Sequence, residues 1–306
     1  MRRRNLPGSV NKQSFSSAKV RKHIHLSVFF LGVGFLVLFI GFFSLPEQAR
    51  VGMVNFLSYA SVQKDIAQEM EYQESAPKLQ QETDGVILHG DRTSNKIALT
   101  FDGEMTNGMR AALLSGQVKS SYDRRITDTL NQTQTKATFF LTGMWMQLYP
   151  KETKALAQNP LFELASHSYA DTSFDGYCYG LTPIPDSQDI KDIEFTQGLL
   201  QMATNSWNTY FRFPGGCYSK TDLDIVTNQA KLTVVHWDVV GEDGFNNNTE
   251  QIVQNVVSHT QNGSIIILHL NGAPTAPKTA DALPEIITEL KAKGFEFVTV
   301  SQLLNR

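Results

Sequence analysis

Five places in the chain end a β-type run with a side chain that can hold a metal, move a proton or stabilise an anion. Asp102 follows IALTF, His167 follows LFELAS, Arg212 lies in YFRFPGG, Asp238 and Asp243 follow LTVVHW, and His269 ends SIIILH. A carboxylate and an imidazole brought together can pass a proton during bond cleavage, and the same two types ligate divalent cations. An arginine beside them pairs with a carboxylate or a developing anion. Each residue alone has an ordinary alternative, since an aspartate in a loop commonly caps a helix or a turn and a histidine after a strand is commonly structural. Their joint placement at successive strand ends favours one shared rim.

The elements that must carry these residues alternate in type. Seven short apolar, β-branched runs are spaced along the chain: 97–101, 137–141, 161–165, 210–213, 232–239, 264–270 and 295–300. Between them fall amphipathic stretches such as MQLYPKETKALAQ, IKDIEFTQGLLQMA, TEQIVQNVVSHTQ and ADALPEIITELKAK. Parallel strands joined by crossover helices have this pattern, and seven of them in about 220 residues suit an α/β barrel better than an open sheet. In such folds chemistry gathers at the carboxyl ends of the strands. His236 and His259 fall inside strand and helix patterns and read as structural.

The amino-terminal quarter differs in kind. Residues 26–45, LSVFFLGVGFLVLFIGFFSL, carry no charge and as a helix would extend roughly 30 Å, the thickness of a bilayer's hydrocarbon core. Residues 1–25 hold Arg2, Arg3, Arg4, Lys12, Lys19, Arg21 and Lys22, so the positive-inside bias orients a signal-anchor with a cytoplasmic tail and an exported remainder. A cleaved signal peptide competes, but the apolar run exceeds the usual length and no clean Ala-x-Ala site follows. Residues 46–84 turn polar and rich in Gln and Glu and read as a stalk, leaving 85–306 as the globular domain. With 27 Lys+Arg against 30 Asp+Glu and a net charge of −3, no basic field exists to hold nucleic acid. Nothing points to a protein partner. Two cysteines are too few for a disulfide scaffold or a cysteine-only zinc site.

The motifs from Gly85 to Arg306 resemble, in order, those of the polysaccharide deacetylase family, the NodB-homology or carbohydrate esterase family 4 domain. ALTFDGE and KATFFLTG echo its Thr-Phe-Asp-Asp-Gly and Ala-Thr-Phe-Phe, HSYAD its His-Ser/Thr-x-x-His, and RFPGG its Arg-x-Pro-x-Gly. WDVVGEDG is similar to its Trp-Asp-x-x-x-x-Asp-Trp, and IILHL to its Leu-x-His. The resemblance implies a distorted (β/α) barrel and a metal-assisted hydrolysis that removes acetyl groups from a glycan such as peptidoglycan, chitin-like chains or poly-N-acetylglucosamine. Carried over by motif, Asp102 would be the general base, with Arg212 paired to it. His269 would be the general acid with Asp243 as its carboxylate partner, and the Gly215 N–H would help hold the oxyanion.

The departures fall in the implied metal site. Gly103 stands where the family has its second Asp, and Asp171 where it has its second His. Glu104, one residue on, is the replacement ligand expected, giving Glu104, His167 and Asp171. Two carboxylates and one imidazole make a harder set than usual, so zinc is favoured less strongly over cobalt, nickel or manganese. The competing reading is that Gly103 abolishes metal binding and leaves a catalytically silent glycan-binding domain. A Ser-His-Asp hydrolase fails for want of a Gly-x-Ser-x-Gly turn. The segment GMRAALLSGQVKSSYDRR after Asp102 reads as a long loop. In an exported domain, Cys178 and Cys217, flanking two loops that must meet at one site, are expected to form a disulfide. The protein would act at the outer face of the membrane, in the periplasm or at the cell surface.

Overall fold

The computed structural model describes residues 85–305 apart from 177 and 207; the expected tail, membrane segment and stalk, residues 1–84, lie outside the described residues. Among the described residues no helix is long and apolar enough to cross a membrane. The strands are β1 (Val86–Ile87), β2 (Lys96–Gly103), β3 (Ala137–Leu141), β4 (Phe162–Ser166), β5 (Tyr210–Phe211), β6 (Thr233–Val235), β7 (Val239–Val240), β8 (Ile265–His269) and β9 (Glu296–Val298). All named ladders are parallel, in the order β1-β6-β5-β4-β3-β2-β8-β7, with β9 on β2.

Sequence alternation sorts the side chains onto two faces. In β2, Ile97, Leu99 and Phe101 join the large outer core under the helices, whereas Ala98 joins an inner cluster with Phe140, Ala165, Tyr210, Val235, Ile265 and Ile267. Successive strand residues point to opposite faces. Positions two and four on from these inner residues are Thr100 and Asp102, His167, Arg212 and His269, so the period of two that builds the inner core also aims the polar residues into the barrel mouth.

The ring closes through the chain. The run at 232–239, expected as one strand, splits: β6 lies near one end of the sheet order and β7 at the other, joined by His236, Trp237 and Asp238. His236 N–H donates to Ile87 O at 2.8 Å on one side, and Asp238 N–H to Ile265 O at 3.2 Å on the other. A covalent link where a barrel would have a ladder is what makes this barrel a curled, distorted one.

The helices that surround the sheet are α1 (Asn107–Leu114), α2 (Arg124–Gln132), α3 (Gly143–Leu148), α4 (Pro150–Gln158), α5 (Asp186–Thr204), α6 (Lys220–Asp224), α7 (Thr249–His259), α8 (Thr279–Ala292) and α9 (Val300–Leu303). Two depart from the sequence reading. The segment after Asp102 is not all loop, because the Thr106 hydroxyl accepts from Met109 N–H to start α1, and Met109 and Leu113, four apart, pack on the outer core. The last apolar run stops at Val298, where Thr299 and Gln302 form a capping box that begins α9. Cys178 and Cys217 are joined by a disulfide with S–S 2.02 Å.

Candidate acid-base and metal site

Arg212, at the mouth, is fully buried after β5. Its guanidinium donates to Val235 O, His236 O, the Thr100 hydroxyl and Asp102 Oδ1, the last at 2.7 Å. It lies 3.9 Å above the Phe140 ring centre, a cation-π contact in a dry setting. Asp102 is thus neutralised and oriented from below while its Oδ2 faces His167 Nε2 at 3.6 Å.

His167 is buried and tied from behind, because its Nδ1 meets Arg212 O at 3.0 Å. A carbonyl can only accept, so that contact places the proton on Nδ1 and leaves a lone pair on Nε2. Burial lowers the His167 pKa, which keeps the ring neutral. Nε2 has no hydrogen-bond partner among the described residues and lies 3.6 Å from Asp171 Oδ1. Ser168 and Asp171 adopt positive φ, 62° and 53°, conformations that non-glycine residues hold at a cost of about 1–3 kcal/mol each and that cluster at functional sites. They fold the HSYAD turn so that both ends of the motif face one point.

Glu104 completes that point. One ligand atom each from Glu104, His167 and Asp171 lie within 4.8 Å of one another. Gly103 explains why the neighbour serves: a Cβ there would meet Leu141 Cδ2 at 2.5 Å, so position 103 faces the apolar core, and Glu104 returns to the side of Asp102. A buried imidazole with an unpartnered lone pair, beside the Glu104 and Asp171 carboxylates and with Asp102 also 3.6 Å away, is a donor set that fits a divalent cation.

Opposite stands a second imidazole. His269 Nδ1 is 2.8 Å from Asp243 Oδ1, and its Nε2 is 3.3 Å from Glu104 Oε1. Asp243 also accepts from His269 N–H at 2.8 Å and from the Thr279 hydroxyl. Burial opposes charge on both partners, but their attraction outweighs it, helped by Glu104 for the histidine and by hydrogen bonds for the carboxylate. His269 is therefore raised well above the ordinary histidine value and Asp243 held below the usual carboxylate range. At 22% and 19% side-chain exposure, His269 and Glu104 form the solvent side of the site, whereas Asp102, His167 and Arg212 form its floor.

Three residues the sequence reading passed over hold this geometry. Asn271 accepts from Glu104 N–H at 3.1 Å and donates to Glu104 O and Ser121 O at 2.9 and 3.0 Å; Thr279 and Thr100 act on Asp243 and Arg212 as above. Their only signal is position, two residues beyond a strand end, at a helix start, and two before Asp102. Asp238, expected on the rim, instead accepts from Arg92, Ser264 and Ile265 N–H and pins the chain link to β8. Gly215 lies in the turn Pro214–Gly216 at φ 62°, and a Cβ there would come within 2.5 Å of Cys178 Sγ, so the turn and the disulfide beside it both require glycine.

Such a barrel mouth brings a paired carboxylate and a charged imidazole, groups able to move protons, beside a donor set able to hold a cation. Residues 89–235 match the polysaccharide deacetylase family. The chain is 30% identical over 189 residues to a peptidoglycan-N-acetylglucosamine deacetylase of Bacillus cereus, covering 60% of this chain and 82% of that protein. It is 30% identical over 213 residues to the peptidoglycan-N-acetylmuramic acid deacetylase PdaC of Bacillus subtilis, covering 70% of this chain but only 39% of that longer protein. Its fold is shared with a peptidoglycan N-acetylglucosamine deacetylase solved with a hydroxamate-type ligand (TM-score 0.62, 24% identity, 72% of this chain and 93% of that one). It is shared too with a family 4 pseudoenzyme from Bacillus anthracis (TM-score 0.59, 20% identity, 74% and 72%). The chain belongs to the polysaccharide deacetylase family.

Proposed function

We propose that this chain hydrolyses acetamido groups of an N-acetylated glycan, peptidoglycan foremost, outside a membrane to which residues 26–45 anchor it. The observation that carries the proposal is the meeting, at one barrel mouth, of an arginine-paired Asp102 and an aspartate-backed His269 on either side of the lone pair of His167. The two relatives above are named for acetyl removal from peptidoglycan sugars. Anchoring and export rest on the uncharged run at 26–45 and the seven basic residues named above that precede it.

Asp102 takes a proton from the attacking water, and Arg212 balances the carboxylate and fixes its direction. His269, carrying its proton, gives it to the departing sugar amine, so that acetate and a free amine are the products. Asp243 and Thr279 hold that imidazole in place, and the Gly215 N–H contributes to the oxyanion. Glu104, His167 and Asp171 would hold the divalent cation, zinc with cobalt, nickel and manganese as alternatives. Bound there, it would polarise the acetyl carbonyl and acidify the water. A silent glycan-binding domain is the second reading, favoured by Gly103 and Asp171. Acetate release from N-acetylglucosamine oligomers and from peptidoglycan by the full chain separates the two. Asp102→Asn and His269→Ala are each expected to lower that release by about 10²-fold or more. Full release by either variant would refute the assignment.

A further inference from the structure

A second group of oxygen ligands lies away from this site. Asp186 and Asp189 occupy the first turn of α5 and Asp222 lies in α6; one carboxylate oxygen of each falls within 4.8 Å of the others. Asp189 and Asp222 are fully buried. Carboxylates in a first helical turn ordinarily serve the helix dipole or cap free N–H groups. Asp189 caps nothing: α5 has Pro185 at its N-cap position with no side-chain cap, and neither Asp189 oxygen accepts a hydrogen bond from an N–H or hydroxyl among the described residues. Asp222 spends Oδ2 on Ser219 N–H at 2.6 Å and leaves Oδ1 unpartnered. Among the described residues no lysine, arginine or histidine forms an ion pair with any of the three.

Buried carboxylates with no counter-ion are costly. Three oxygens favour the cation over a proton, which two suffice to share. Exposed Asp186 gives an entry path, and Asp189 offers both oxygens. An all-oxygen set suits a hard ion such as calcium rather than a soft transition metal.

We propose that Asp186, Asp189 and Asp222 form a second divalent-cation site, for a hard ion such as calcium, that clamps the start of α5 to α6. The chain between Asp171 and α5 carries Cys178, and α6 follows Cys217, so the ion braces the same two segments as the disulfide and steadies the loop that ends at Asp171.

The test is calcium titration of the full chain at pH 7.5, read by calorimetry and by thermal unfolding, for the natural sequence, Asp189→Asn and His167→Ala. Calcium at about ten times its half-saturating concentration is expected to raise the melting temperature by about 3–6 °C in the natural chain and in His167→Ala. The rise should vanish in Asp189→Asn. Asn keeps the shape of Asp and removes a buried charge, so the variant should fold. Absence of binding heat and thermal shift up to about 5 mM calcium would overturn the site. So would a shift that survives in Asp189→Asn. None of these readings depends on acetate release.

Discussion

Arg212 joins Asp102 to the barrel interior. Its side chain makes hydrogen bonds to two carbonyls, one hydroxyl and Asp102, and all of these are buried with it. Removing one partner of a buried pair leaves the other charged in a dry setting, which costs about 3–5 kcal/mol. Arg212→Met should therefore lower unfolding free energy by about that amount in urea titration, besides lowering acetate release. Asn271 acts through its neighbour: it holds both the N–H and the carbonyl of Glu104. Partners of ligands commonly set metal affinity by about 10–100-fold, and Asn271→Ala is expected to weaken zinc binding within that range by calorimetric titration. Unchanged affinity would separate Glu104 from the metal.

At the scale of elements, the disulfide fixes the loop of Cys178 against the turn after Arg212. Closing a loop with a separation of 39 residues contributes about 4 kcal/mol in the chain-entropy picture, so the Cys178→Ser, Cys217→Ser double variant should lose about that much stability. Elements whose pattern is local were legible in the sequence. ATFFL forms β3 over the residues expected, and the runs around Asp102 and His269 form central strands within two residues of their expected ends. What escaped was decided by a single cap or by closure. Thr106 and Thr299 start helices with one hydroxyl each inside segments whose hydrophobic period is weak, and LTVVHWDV breaks because its two halves belong to opposite ends of the sheet. The chemistry-bearing residues were visible by type and position, whereas Asn271 and Thr279, which hold them, resemble any polar loop residue until the ring brings Glu104 and Asp243 to them.

For the whole molecule, the interior that supports the site is also what acid attacks. His236 lies in the chain link that closes the barrel, and burial, with Arg212 and His167 nearby, lowers its pKa from 6.5 to about 3. Between those values the unfolded chain binds a proton that the native one refuses. This contribution to stability is complete above pH 6.5 and is lost as pH falls toward 3. His236→Phe should flatten the acid side of the stability profile measured by denaturant unfolding from pH 7 to pH 4, leaving other buried groups to supply what slope remains.

Glu104 and Asp171, with His167, are expected to keep the deacetylase metal-dependent despite Gly103. The most direct measurement is acetate release from N-acetylglucosamine oligomers and peptidoglycan by the full chain as purified, after chelation, and after zinc or cobalt is restored. The geometry predicts release that chelation removes and metal restores. No release under any condition from protein with intact folding, or release indifferent to chelation, would contradict it.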